Sequence, residues 1–401
     1  MDTMKTLILS NEYPPYNYGG AGVHVEYLSR ELAKLIQVEV RCFGDQHVTE
    51  GNLTVRGFEL DSSHYGCPKS LVSGFGAIQR GLDFNSCGID ATHVHCHTWY
   101  THMAGIVAKL NYGIPLIITT HSLEPLRPWK REQLGGGYDF SLWVERTAIE
   151  MADAIIAVSQ GTKNDILEHF SLSKEKISVI HNGIDLTEYQ KQTSTDALHR
   201  YGIDPSIPYV LFVGRITRQK GIIHLVQAIK HLDPAFQVVL CAGAPDTPEI
   251  EAEMQLAVTE ATRKRHGVIW IREMVEKSQV IELYSHASVF CCPSIYEPFG
   301  IINLEAMACE TAVVASSIGG IPEVVVDGET GILVPLEQNP APSFTPANPV
   351  QFSRDLAAAI NELMANPDKC RQYAIAGRTR AEAHFSWAAI AQQTKTLYEQ
   401  I

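Results

Sequence analysis

The chain has 401 residues, enough for more than one hydrophobic core. A formal charge of −13 argues against non-specific binding to nucleic acid or to an anionic membrane, and no run approaches the roughly 20 apolar residues of a membrane span. Nine cysteines, an odd number without CxxC or zinc-ligand spacing, read as free thiols, mostly buried, of a cytoplasmic protein.

The opening MDTMKTLILSNEYPP holds too short an apolar run for a signal peptide and reads as a first strand, Thr6–Ser10. A Gly-rich turn follows. Helical spacing of Val25, Leu28, Leu32 and Leu35 then predicts a helix over Ala21–Leu35. VEVRCF, ATHVHC, PLIITT, AIIAV and ISVI continue a first strand series. A second series starts at Tyr209–Gly214 and runs through QVVLCAG, VIWI, SVFCC, AVVAS and GILVP. Apolar strands alternating with helices predict α/β architecture with parallel sheets covered on both faces. Two such series predict two Rossmann-like domains. The polar, turn-rich segment Thr187–Pro208 holds the boundary, dividing the chain into 1–190 and 191–384. A final amphipathic helix, 385–401, opens at Ser386 and returns to the first domain. Leu336–Pro349 reads as a proline-rich surface loop.

Several stretches suit anions. In YNYGGAGVH, Gly19, Gly20 and Gly22 lie between a strand and a helix, where bare backbone and a helix N-terminus favour a negative ligand. This is not the GxGxxG pattern of dinucleotide folds. FVGRITRQKG puts Arg215 at the carboxyl end of a strand and Lys220 just beyond, a planar fork and a point charge that both fit phosphate oxygens. IGGIPEVV is a further Gly-rich turn whose N–H groups suit a diphosphate.

Between them, PSIYEPFGIINLEAMA holds Glu297 and Glu305, seven residues apart. Pro298 pushes Glu297 out of helical geometry, and a helix begins after Gly300. A loop carboxylate, a helix N-terminus and an early-helix carboxylate then converge. In ATHVHCHTWYTH, His93, His95 and His97 alternate at strand period. They lack the carboxylate or cysteine cluster that would complete a metal shell, so no metal is expected. His97 and His121 end strands and are candidates for hydrogen bonds to a ligand. EPLRPWKREQLGGGYDF mixes Arg127, Lys130 and Arg131 with Trp129 and Tyr138, cations for phosphate and rings for sugar.

EPFGIINLE resembles the E-x7-E motif of retaining family 4 glycosyltransferases of the GT-B fold. Together with EYPPYNYGGAGVH, HCHTWY, THSLEPLRPWKREQLGGGY, VIHNGID and GRITRQKG, it resembles the actinobacterial-type glycogen synthase and maltose-1-phosphate synthase subgroup. The resemblance implies an N-terminal acceptor domain and a C-terminal nucleotide-sugar domain, facing across a cleft. It assigns Arg215 and Lys220 to the donor diphosphate, Glu305 to the ribose and Glu297 to the transferred sugar. Gly300, Ile301, Ile302 and Asn303 would offer backbone amides. Gly19 and Gly20 would close over the diphosphate, and His121 would sit beside the anomeric carbon. His97, Trp99, Arg127, Trp129, Lys130, Arg131 and Tyr138 would face the acceptor.

The implied reaction moves glucose, with retention, from ADP-glucose (or UDP-glucose) to an α-1,4-glucan or to glucose 1-phosphate, with no cofactor. The first loop, Asn17-Tyr18-Gly19-Gly20, lacks the lysine of some bacterial glycogen synthases, and His97-Thr98-Trp99 lacks their aspartate. Both departures match the maltose-1-phosphate synthases. With no acidic ligand cluster of the DxD kind in view, Arg215, Lys220 and helix N-termini are expected to balance the leaving group's charge. Glu297 as a nucleophile and same-face attack are both open, and the resemblance favours the second. The cluster Arg127, Lys130 and Arg131 is the expected seat of an acceptor phosphate. A nucleotide-sugar 2-epimerase and a non-catalytic carbohydrate-binding protein of the same fold are the alternatives.

Overall fold

Near-continuous Val, Ile, Leu and Ala runs suit strands buried on both faces, and the chain builds a largely parallel sheet from them twice. The computed structural model describes residues 4–17, 19–341 and 343–401; Tyr18 of the first Gly-rich loop lies outside them. The chain divides into two compact units, Met1–Gly183 with Ser386–Ile401, and Ile184–Phe385.

The first unit holds β1 (Lys5–Ser10), β2 (Gln37–Phe43), β3 (His47–Glu50), β4 (Leu53–Phe58), β5 (His93–His97), β6 (Leu116–Thr120), β7 (Ala154–Ala157) and β8 (Ile177–Val179). Their order is β3-β4-β2-β1-β5-β6-β7-β8, parallel except for the β3–β4 hairpin. That edge hairpin has no counterpart in the sequence reading. Its signal was the turn Gly51-Asn52, with Gly51 at φ 57°. The second unit holds β9 (Tyr209–Arg215), β10 (Gln237–Gly243), β11 (Val268–Ile271), β12 (Val289–Cys292), β13 (Ala312–Ser317) and β14 (Gly331–Pro335), all parallel, in the order β11-β10-β9-β12-β13-β14. This is the Rossmann order. It reverses between β9 and β12, which opens a crevice at their carboxyl ends. In the first sheet the same reversal lies between β1 and β5.

The last helix, Trp387–Tyr398, packs within the first unit on the helix Gly20–Ala33. Trp387 stacks on Tyr27 with ring centroids 5.8 Å apart. A Cβ on Gly183 would stand 2.6 Å from the Trp387 ring, so only glycine admits it. Ser386 occupies the N-cap position, but its side chain makes no capping bond. At the far end the Tyr398 hydroxyl meets His95 Nδ1 at 2.6 Å, while His95 Nε2 meets Thr119 at 2.7 Å. Both His95 nitrogens are thus spent on structure. No described helix is long and apolar enough to cross a membrane.

Candidate active site

In the second unit the crevice between β9 and β12 collects Arg215, Lys220, Glu297 and Glu305; Gly19 and Gly20, also read as donor-binding, lie in the first unit. Glu297 follows β12 in a loop held from two sides. Ile295 N–H donates to the Gln219 carbonyl at 2.9 Å, and Gly320 N–H donates to the Glu297 carbonyl at 3.0 Å. Gly319, at φ 55°, has to be bare: a Cβ there would lie 2.1 Å from the Glu297 carbonyl oxygen. This amends the reading of the second Gly-rich turn. The Gly320 N–H is committed to Glu297 and is not free for a diphosphate.

The two glutamates differ in their partners. Glu297 is buried, and its carboxylate accepts from Lys220 Nζ at 2.7 Å and from Ser294 Oγ at 3.2 Å. Burial pulls the Lys220 ammonium down, but the Glu297 carboxylate outweighs it and the lysine stays above its ordinary range. Glu305 is also buried, and among the described residues no cation lies within ion-pair distance of it; Lys277 and Lys220 act on it only at longer range. It accepts from the hydroxyls of Tyr189 at 3.1 Å and Tyr284 at 3.0 Å. Burial raises its pKa; the two phenols oppose that rise. Neither tyrosine was singled out in the sequence, because each lies far from Glu305 along the chain. Arg215 ends β9 half-buried, with Nη1 2.9 Å from Asp246 Oδ1.

Gly300, at φ 97°, turns the chain into the helix Ile301–Ala308. The N–H groups of Ile301 and Ile302 have no acceptor among the described residues, the usual state of a helix start. Asn303 N–H does not join them, since it donates to the Gly300 carbonyl at 2.9 Å. The Asn303 side chain is fully buried, and neither its oxygen nor its nitrogen has a hydrogen-bond partner among the described residues.

In the first unit, β5 and β6 deliver His97 and His121 side by side, with His97 Nδ1 2.9 Å from His121 Nε2. His24, from the helix after β1, completes a trio that sequence reasoning missed. One nitrogen from each ring lies within 4.8 Å of the others, a spacing that suits a transition-metal ion, although the group includes no carboxylate or thiol. His24 Nδ1 is 2.6 Å from Asn182 Oδ1, which fixes its ring. Burial lowers the His24 pKa to about 4 and holds His97 and His121 well below the usual range, so all three are neutral near pH 7. Thr98, directly after His97, has φ 66° and ψ 155°, a region that side chains avoid, and its hydroxyl donates to Asn11 Oδ1 at 2.6 Å. Gly19 is exposed and its N–H donates to Glu12 Oε2 at 2.9 Å; Gly20 opens the helix.

The aromatic and basic segment folds into short helices, Lys130–Leu134 among them, and then the helix Gly137–Met151. Its cations differ in setting. Arg131 is exposed and makes a two-point pair with Asp139, at 2.6 and 3.0 Å. Arg127 binds Ser122 Oγ at 3.1 Å and approaches the buried Glu124 at 3.5 Å. Lys130 and Trp129 are half-buried. Tyr138 is a core residue whose hydroxyl donates to the Glu124 carbonyl at 2.6 Å, and Trp99 is a core residue stacked on Tyr100.

Residues 18–188 match the family model Glycosyltransferase Family 4, and residues 195–342 match Glycosyl transferases group 1. The chain is 48% identical to an alpha-maltose-1-phosphate synthase of Mycolicibacterium smegmatis, over 99% of this chain and 100% of that one. It is 28% identical to a glycogen synthase of Mycobacterium tuberculosis, over 98% and 94% of the two chains. Among solved structures, the sucrose-phosphate synthase of Thermosynechococcus elongatus superposes with a TM-score of 0.83 at 25% identity, covering 99% and 98%.

Proposed function

The chain belongs to the GT-B glycosyltransferases, a family 4 domain followed by a group 1 domain, and from that premise we propose that it makes maltose 1-phosphate from ADP-glucose and glucose 1-phosphate. It is a glucosyltransferase of α-glucan synthesis that takes its sugar from a nucleotide sugar. The observation that carries the acceptor is the 48% identity along the whole chain to an alpha-maltose-1-phosphate synthase, against 28% to a glycogen synthase. The missing lysine in Asn17–Gly20 and the Thr98 between His97 and Trp99 support the same choice.

In this reading the bond from the glucose anomeric carbon to the diphosphate oxygen breaks, and an acceptor hydroxyl forms the new bond on the same face. The hydroxyl proton passes to the departing phosphate. Arg215 and Lys220 supply the positive field that the diphosphate needs as its charge grows. Ile301 and Ile302 offer their N–H groups to the same anion. Glu297, held by Lys220, accepts hydrogen bonds from the glucose hydroxyls. Glu305, steadied by Tyr189 and Tyr284, takes the ribose. In the first unit, neutral His121, backed by His97, offers a ring nitrogen to a sugar hydroxyl. Offering the protein ADP-glucose or UDP-glucose with either glucose 1-phosphate or glycogen, and identifying products by mass, tests this. Maltose 1-phosphate from ADP-glucose is the expected dominant product. Elongated glucan without it would overturn the acceptor assignment.

A further inference from the structure

Beyond the residues already assigned, the first unit contains a cavity of about 340 Å³ at the carboxyl edge of its sheet. That size falls in the range of small-molecule sites. Asn11 enters it from the end of β1, Phe43 and Gly44 from the end of β2, and Tyr100 from the start of the helix after β5. Ser73 and Arg80 enter from the helix Lys69–Ser86. Among the described residues, Arg80 is the one charged residue in the lining.

Its setting is unusual for a structural arginine. Nε donates to the Gly76 carbonyl at 3.2 Å, and the guanidinium lies over the Phe43 ring, 3.6 Å from the centroid. Among the described residues no carboxylate comes within ion-pair distance. Asp83, one turn along the same helix, interacts with Arg80 only at longer range and takes the Gln79 amide. Asp45 receives the Tyr16 hydroxyl at 2.8 Å, and Glu12 receives the Gly19 N–H. A half-buried, stacked guanidinium without a counter-ion is a planar donor fork held ready for an anion. Around it stand sugar-suited groups: the rings of Phe43 and Tyr100, the Ser73 hydroxyl beside the Tyr100 phenol, and the Asn11 amide, whose oxygen is taken by Thr98 while its nitrogen stays available to donate.

We propose that this cavity seats a phosphorylated sugar acceptor, with Arg80 as the residue that binds its phosphate and sets the preference for a charged over a neutral acceptor. The proposal rests on the glucosyl-transfer reading and moves the phosphate away from the segment Arg127–Arg131, where Arg131 is paired with Asp139 and Arg127 with Glu124.

The test has two arms. Calorimetry with glucose 1-phosphate and with glucose, in the absence of donor, compares the full-length protein with Arg80→Gln and Arg80→Lys. Glucose 1-phosphate is expected to bind at least 30-fold more weakly to R80Q, with R80K in between, and binding of ADP-glucose is expected to stay unchanged. Steady-state transfer should show the same split, a raised KM for glucose 1-phosphate and an unchanged KM for ADP-glucose. R80K, which keeps charge and bulk, guards against a folding defect in R80Q. Wild-type turnover of glucose 1-phosphate with no change in R80Q would overturn the cavity assignment and leave the reaction standing. Binding of glucose 1-phosphate that R80Q abolishes, without formation of maltose 1-phosphate, would support the cavity and overturn the reaction.

Discussion

Replacing Lys220 with methionine should expose how much of the second unit's site is held by one ion pair. At 2.7 Å and an effective dielectric near 20, the attraction between Lys220 and Glu297 is about 6 kcal/mol before any desolvation is charged against it. Both groups are mostly shielded, with side chains 23% and 9% exposed, so removing one partner strands the other in a poorly solvated place. Breaking such a pair typically costs about 3–5 kcal/mol. K220M should therefore lose about that much in urea unfolding followed by circular dichroism. In the double variant K220M/E297Q no charge is stranded, and most of the loss should be recovered, while transfer stays abolished. A cost below about 1 kcal/mol for K220M, or a double variant no more stable than the single, would show that the pair does not hold this loop.

Acid should weaken the fold early. Six buried histidines (24, 93, 95, 97, 102 and 224) and the half-buried His121 have folded pKa values below the ordinary 6.5, so the unfolded chain binds more protons as the pH falls through 6.5. For His24, at about 4, the loss at pH 5 is about 2 kcal/mol. Glu145, Glu305 and Asp165, raised by burial, act in the opposite sense but are fewer. A urea midpoint that stays flat from pH 7 to pH 5 would contradict this. Tyr284→Phe should cost about 1.5–3 kcal/mol, because the Glu305 carboxylate keeps one phenol instead of two, and should raise the KM for the nucleotide sugar. A neutral Y284F would show that Glu305 does not depend on that bond. Thr98→Gly should melt higher than Thr98→Ala, the reverse of the usual order, since both lose the bond to Asn11 but only glycine is relaxed at φ 66° and ψ 155°. Equal melting points would mean that the backbone there carries no strain.

Much of the architecture is written in local pattern. Apolar runs of four to seven residues with helical segments between them specify buried parallel strands, and all twelve strands read from the sequence, β1, β2 and β5–β14, were found by that pattern; the hairpin β3–β4 escaped because β3 is exposed along its length and neither strand carries an apolar run. Pro298 placed Glu297 in a loop, and Gly300 marked the start of the next helix, since both act on the backbone next to them. What the side chains touch was decided elsewhere. Glu297 meets Lys220, 77 residues away, because β9 and β12 are neighbours, and Glu305 meets Tyr189, 116 residues away, because the segment before β9 lies against the helices around β12, where Gln192 N–H donates to Ser285 and Arg378 donates to the Tyr189 carbonyl. His24 joins His97 and His121 by the same logic in the first sheet. Arg80 differs from Arg131 in no local pattern; a facing Asp139 satisfies one, and an open cavity faces the other. Sequence spacing acts over a turn or a strand, whereas desolvation and charge pairing depend on what folding brings across that distance.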